Sequence, residues 1–155
     1  MVYFKTYFYS EHEIDFINLN LRENYDNIDK FILCECNVHH TGKHRDFIFP
    51  SVANRIDPEV SDKLLYIPLN LKSATRHEER NQNIIHNLNE PMMRGAWVKA
   101  LEHHGALPKP DDVIVSVDAD EIIYKDELSK VISSLDRNGT KSFVLNLNQF
   151  FYKWF

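Results

Sequence analysis

The run Val113-Ile114-Val115-Ser116-Val117 leads directly into Asp118-Ala119-Asp120-Glu121. In open α/β sheets, ligands gather beyond the carboxyl ends of the strands. Three carboxylates placed there repel one another unless a proton or a cation relieves them. A hard divalent ion with oxygen ligands is the simplest relief, and magnesium or manganese keeps positions open for phosphate oxygens. Asp118 and Asp120 have the D-x-D spacing that can hold such an ion against a nucleotide diphosphate. A plainer reading competes: a solvated turn at a strand end, with Asp120 or Glu121 capping the next helix. The local residues do not choose between the two.

Other residues invite similar pairs of readings. Arg94 shares a helical segment with Trp97, where a guanidinium can reach a diphosphate bidentately. It can equally pair with Glu90 at i, i+4 on the surface, which is worth little. Glu35 stands in an apolar run between Cys34 and Cys36, and a carboxylate there requires a partner. Arg22 and Lys43 are the cations considered for it. His40-Thr41-Gly42-Lys43 reads as a loop in which Lys43 either touches phosphate or is simply solvated. Glu13 follows Ser10 by three, the spacing of a capping box, and could otherwise help to position a nucleotide. Cys34 and Cys36 share one face of an extended strand and read as small buried thiols. With His39, His40 and His44 they match no standard zinc spacing. Trp97, Met92 and Met93 read as core, and the His103-His104 pair as a helix end where imidazolium meets the dipole favourably.

The elements that must carry these residues follow from pattern. Val2–Tyr9, Phe31–Cys36, Leu64–Leu69 and Val113–Val117 read as strands. A helix starting at Ser10 has Ile14, Ile17, Leu21, Tyr25 and Ile28 as its apolar stripe. A polar helix is expected over 75–88, with Ile84, Ile85 and Leu88 as its sparse apolar side. A second helix is expected to start at Asn89 as cap, with Pro91 in its first turn and Gly105 as its stop. Asp126–Leu135 is another amphipathic helix. Asn138-Gly139 reads as a turn, and the chain from Ser142 onward as a long strand. This alternation predicts an α/β layer pattern with a mostly parallel sheet, as one domain spanning residues 1–155.

Length and composition agree. The chain has 155 residues, 43% hydrophobic and 26% charged, enough to bury a core and too apolar for a disordered tail. Its formal charge of -5 gives no electrostatic case for nucleic acid or an anionic membrane. No apolar run approaches the ~20 residues of a membrane helix. Met1–Ser10 lacks the apolar stretch and cleavage site of a signal peptide, so a cytoplasmic setting is expected. The aromatic ending Lys153-Trp154-Phe155 suggests a sheet edge, a subunit or partner-chain interface, or a larger domain in which the sheet continues.

Five stretches together resemble glycosyltransferase family 17, the β-1,4-mannosyl-glycoprotein N-acetylglucosaminyltransferases. Glu13-Ile14-Asp15 resembles that family's N-E-L-D segment. Phe31-Ile32-Leu33-Cys34-Glu35-Cys36-Asn37 resembles its F-V-I-V-E-S-N strand, and His40-Thr41-Gly42-Lys43 its H-T-G-K. Glu90-Pro91-Met92-Met93-Arg94 resembles E-x-x-Q-R, with Met93 in the place of Gln. Ser116-Val117-Asp118-Ala119-Asp120-Glu121-Ile122 resembles its S-D-V-D-E-I-P metal motif, without the proline. The resemblance implies a GT-A-type, Rossmann-like nucleotide-sugar-binding fold with helices on both faces of the sheet. It implies an inverting transferase, dependent on Mn2+ or Mg2+, that moves sugar from UDP-N-acetylglucosamine to a glycan acceptor. Asp120 becomes the first-choice metal ligand, with Asp118 sharing the metal or reaching the ribose. Arg94 and Lys43 become phosphate contacts, and Glu35 an acceptor for the uracil N–H. No residue is assigned as catalytic base, because the resemblance matches the N-terminal half of the family's catalytic domain. Two alternatives remain: a nucleotide-sugar-binding half-domain that needs a partner chain, and a phosphatase of the haloacid-dehalogenase type. The latter expects Thr or Val where Glu121 stands.

Overall fold

The computed structural model describes residues 1–72 and 82–135. Among them, four strands form one sheet: β1 (Val2–Tyr7), β2 (Lys30–Cys36), β3 (Leu64–Leu69) and β4 (Val113–Ser116). Their order is β3-β2-β1-β4, and every pairing is parallel. The expected turn at Asn138-Gly139 and the strand from Ser142 lie outside the described residues.

Parallel strands need crossovers, and these place helices on both faces. On one face α1 (Ile14–Asn24), the short helix α2 (Phe49–Val52) and α4 (Lys125–Ser134) pack over Phe4, Phe8, Phe31 and Leu33. On the other, α3 (Gln82–His103) lays Met93, Trp97 and Leu101 over Tyr3, Tyr7, Ile32 and Cys34. Residues alternate between faces along β1, so Lys5, between Tyr3 and Tyr7, also points under α3. Cys34 and Cys36 are free and buried on that same face, as their spacing predicts. Burial raises both thiols, to about 12 and about 11, so they are inert.

The chain enters α1 through a 3-10 turn, Glu11–Glu13, closed by the expected capping box. Ser10 Oγ accepts from the His12 amide at 3.3 Å, and Glu13 Oε2 accepts from the Ser10 amide at 3.3 Å and the Tyr9 amide at 2.7 Å. Ile14, Ile17 and Leu21 follow fully buried. Replacing the cap, Ser10→Ala, is expected to lower stability by about 1 kcal/mol in urea unfolding, the usual cost of such a deletion.

One expectation is corrected. There is no helix start at Asn89: α3 runs unbroken from Gln82 to His103 with Pro91 inside it. Asn89 is fully buried and its amide donates to the His40 carbonyl at 3.3 Å, a contact across the fold. Proline removes one helical hydrogen bond. Here the packing of Met93, Trp97 and Leu101 on the sheet outweighs that loss. Ile84 and Leu88, expected on an apolar side, are exposed.

Among the described residues, no helix is long and apolar enough to cross a membrane.

Candidate functional site

β1 and β4 are neighbours, yet the chain leaves β1 toward β2, on the opposite side. Their carboxyl ends therefore part at a topological switch point, where a crevice forms. A cleft of about 470 Å³ opens there, lined by Tyr9, Ser10, His12, Glu13, Phe16, His40, Glu90, Arg94, Asp118, Ala119 and Asp120. One wall is the end of β1 with the start of α1. Another comes from α3, and the acidic turn after β4 joins the two.

The turn is held from below. Glu121 Oε2 accepts from the Asp118 amide at 2.8 Å, and the Glu121 amide donates back to the Asp118 carbonyl at 3.0 Å. Glu121 thus closes the turn, leaving Asp118 and Asp120 to face solvent. Two buried asparagines of α1 pin the chain that follows. Asn20 donates to the Glu121 carbonyl at 3.0 Å, and Asn24 to the Ile123 carbonyl at 2.8 Å. Nothing in the helical pattern of α1 announces this, although two buried amides on an apolar stripe are the trace it leaves.

Arg94 combines both readings considered for it. Its Nε donates to Glu90 at 2.9 Å, and its Nη2 stands 3.6 Å from Asp118. The bond to Glu90, and then Asp118, hold its guanidinium firmly protonated against partial burial. Arg94 and Asp118 are each about half exposed, so their pairing is weak and a bound anion can displace it. Glu13 lines the cleft while serving as the cap. Burial raises its carboxyl, and the nearby charge of Asp120 adds to the rise. Asp118 thus stands within reach of α3, and Asp120 lies close enough to Glu13 for its charge to be felt there.

Beneath this floor lies Lys5, 2% exposed, its Nζ 3.2 Å from Ser116 Oγ and 3.7 Å from the centre of the Tyr7 ring. Burial lowers its ammonium to about 8. Its position in an aromatic run gave no hint of this.

Two expected residues lie elsewhere. Glu35 is fully buried and engaged within the chain. Oε1 accepts from Arg45 at 3.1 Å and from the Ile48 amide at 2.7 Å; Oε2 accepts from the Phe49 amide at 3.1 Å and the Tyr66 hydroxyl at 2.9 Å. Its cation is Arg45, whereas Arg22 pairs with Asp57. A carboxylate with four internal donors and no exposed surface has nothing to offer a nucleobase. Lys43 is exposed in a hairpin closed by the Val38–His44 bridge, outside the cleft lining, and Gly42 supplies the turn's positive φ of 78°. The same hairpin delivers His40 to the cleft instead. Tyr9 and Phe16 also line it, and their types alone did not mark them.

Carboxylate oxygens are the donors that magnesium or manganese prefers. Among the described residues, no group of three or more His, Cys, Asp or Glu stands together to hold an ion. The donor set therefore fits an ion that takes one or two carboxylates and completes its shell with water and phosphate. It does not fit a closed structural site.

Neither the search of curated proteins nor that of solved structures returned a match. The family model of glycosyltransferase family 17 matches residues 3–155, nearly the whole chain, and spans β1, the hairpin, α3 and the acidic turn alike. With a sheet that is all parallel among the described residues and a crevice at its switch point, the chain belongs to glycosyltransferase family 17.

Proposed function

We propose that the cleft binds a UDP-sugar, with UDP-N-acetylglucosamine as donor, through a divalent metal, for inverting transfer to a glycan hydroxyl. The observation that carries this reading is the placing of Asp118, Asp120 and Arg94 around one switch-point crevice, with Arg94 beside Asp118. Transfer releases a nucleoside diphosphate, so negative charge grows on the leaving phosphate in the transition state. Asp120 and Asp118 are the residues that would hold Mn2+ or Mg2+, whose chemistry is to neutralise that charge. Arg94, released from Asp118 by the arriving phosphate, adds two donors of fixed geometry. Glu121 keeps the acidic turn in shape and Glu13 keeps the start of α1 in place, so neither has to move. The acceptor hydroxyl needs a general base for inversion, and none is assigned among these residues.

Calorimetry with UDP in the presence of manganese tests the reading. Asp120→Ala is expected to weaken binding by at least tenfold relative to the unaltered protein. Equal affinity in the two would remove Asp120 from the site and the metal-held diphosphate with it.

A further inference from the structure

The nucleobase of such a donor needs a recognition surface, and Glu35 is withdrawn from that task by its four internal donors. We infer that Tyr9 and His40 form a stacking platform for the nucleobase; this rests on the nucleotide reading above. Both residues line the cleft, with ring centroids 5.5 Å apart and planes 34° from parallel. They come from different elements, the end of β1 and the hairpin after β2, so their meeting is a property of the fold and not of local sequence.

The platform is braced. The buried Arg45 guanidinium lies over the Tyr9 ring, 5.8 Å from its centre, and is itself held by Glu35. The hairpin carrying His40 is fixed at its base by the Val38–His44 bridge. Asn37 also ties it down, donating to Asn70 at 2.6 Å and accepting from the Leu71 amide at 2.7 Å. Asn89 fixes the His40 carbonyl from α3. A second ring contact, to Tyr7 at 6.3 Å, limits Tyr9 from within the core. Rings held in this way lose little freedom when a flat ligand arrives, which is the condition for stacking to contribute to affinity.

Placement fits the occupant. Tyr9 lies close enough to Arg94 and Asp118 to feel both charges. A base resting on Tyr9 and His40 would leave its diphosphate near Arg94 and the acidic turn. Phe16, one helical turn beyond Glu13, lines the cleft on the α1 side, apart from the hairpin. The charged turn and the ring pair therefore offer the two surfaces that a nucleoside diphosphate presents, an anionic tail and a flat aromatic head.

The test separates head from tail with two probes in the presence of manganese, UDP and inorganic pyrophosphate. Tyr9→Leu keeps apolar bulk and removes the flat ring, and Tyr9→Phe keeps the ring. The platform requires Tyr9→Leu to weaken UDP by roughly tenfold, within the range for loss of a stacking ring, while Tyr9→Phe stays within about twofold. It also requires pyrophosphate to bind all three proteins alike, which reports an intact fold and an intact charged turn. Unchanged UDP affinity in Tyr9→Leu would overturn the platform. Parallel loss of both probes would overturn it as well, by making Tyr9 a structural support. If Asp120→Ala leaves pyrophosphate binding untouched while Tyr9→Leu weakens UDP, the metal-held diphosphate fails and the platform stands.

Discussion

Glu35→Ala is expected to cost about 3–5 kcal/mol of folding stability. Four donors converge on the carboxylate: the Arg45 guanidinium, the Ile48 and Phe49 amides and the Tyr66 hydroxyl. Removing it strands all four. The charged one matters most, because the Arg45 side chain is only 6% exposed and its Nη1 has no hydrogen-bond partner among the described residues. Taking out one member of a buried ion pair leaves the other as an uncompensated charge. Urea unfolding measures the loss. The double variant Glu35→Ala with Arg45→Met is expected to recover a large part of it, since the stranded cation is then gone. A single-variant loss under about 1 kcal/mol, or no recovery in the double variant, would show that the pair contributes little. The same change also tests function. Where the Glu35→Ala chain is still folded, the affinity for pyrophosphate is expected to match that of the unaltered protein, because Glu35 does not line the cleft.

The contrast between Glu35 and the acidic turn shows what a sequence can convey here. The strands are legible because each is a short, largely apolar run between polar segments. Leu64–Leu69 matches to the residue, and the others differ by one or two at their ends. The acidic turn is legible because it sits directly after such a run, and strand ends are where ligands collect. The partner of Glu35 is not legible. Arg45 reaches it only because the hairpin turns at Gly42 and returns through the Val38–His44 bridge, so ten residues of sequence separation close into one ion pair. Asn89 is similar. Its type suits a helix cap, but its buried place opposite His40 depends on how α3 crosses the sheet. Local chemistry predicts what a residue can do, and the crossovers decide which neighbour it does it with.

Lys5→Met is expected to stabilise the protein by roughly 2 kcal/mol near neutral pH, against the usual direction of core substitutions. Lys5 lies in the interior with a hydroxyl, Ser116, and an aromatic face, Tyr7, as its near partners. Neither neutralises an ammonium. Burial is the main reason its pKa falls from 10.5 to about 8, with the charge of Arg94 adding to the fall and Cys34 and Asp118 opposing it. That fall corresponds to a penalty on the folded charged form of about 3 kcal/mol. Methionine has similar length and no charge to desolvate. The lost ring contact and hydrogen bond take back part of the gain. The sign with pH follows from proton counting. Between about 8 and 10.5 the unfolded chain keeps the lysine proton that the folded chain has shed, so this group makes stability rise with pH through that window. The advantage of Lys5→Met is therefore expected to be full below pH 8 and to shrink toward pH 10. Urea midpoints of both proteins at pH 7 and pH 9.5 give the difference directly; the hydroxyls of Tyr7, Tyr9 and Tyr66, which burial pushes up, are common to both. A difference that is negative at pH 7, or constant with pH, would mean that the ammonium is better solvated than its burial indicates. A cost of this size directly under the floor of the cleft is what a fold carries when selection acts on binding and only keeps stability above a threshold.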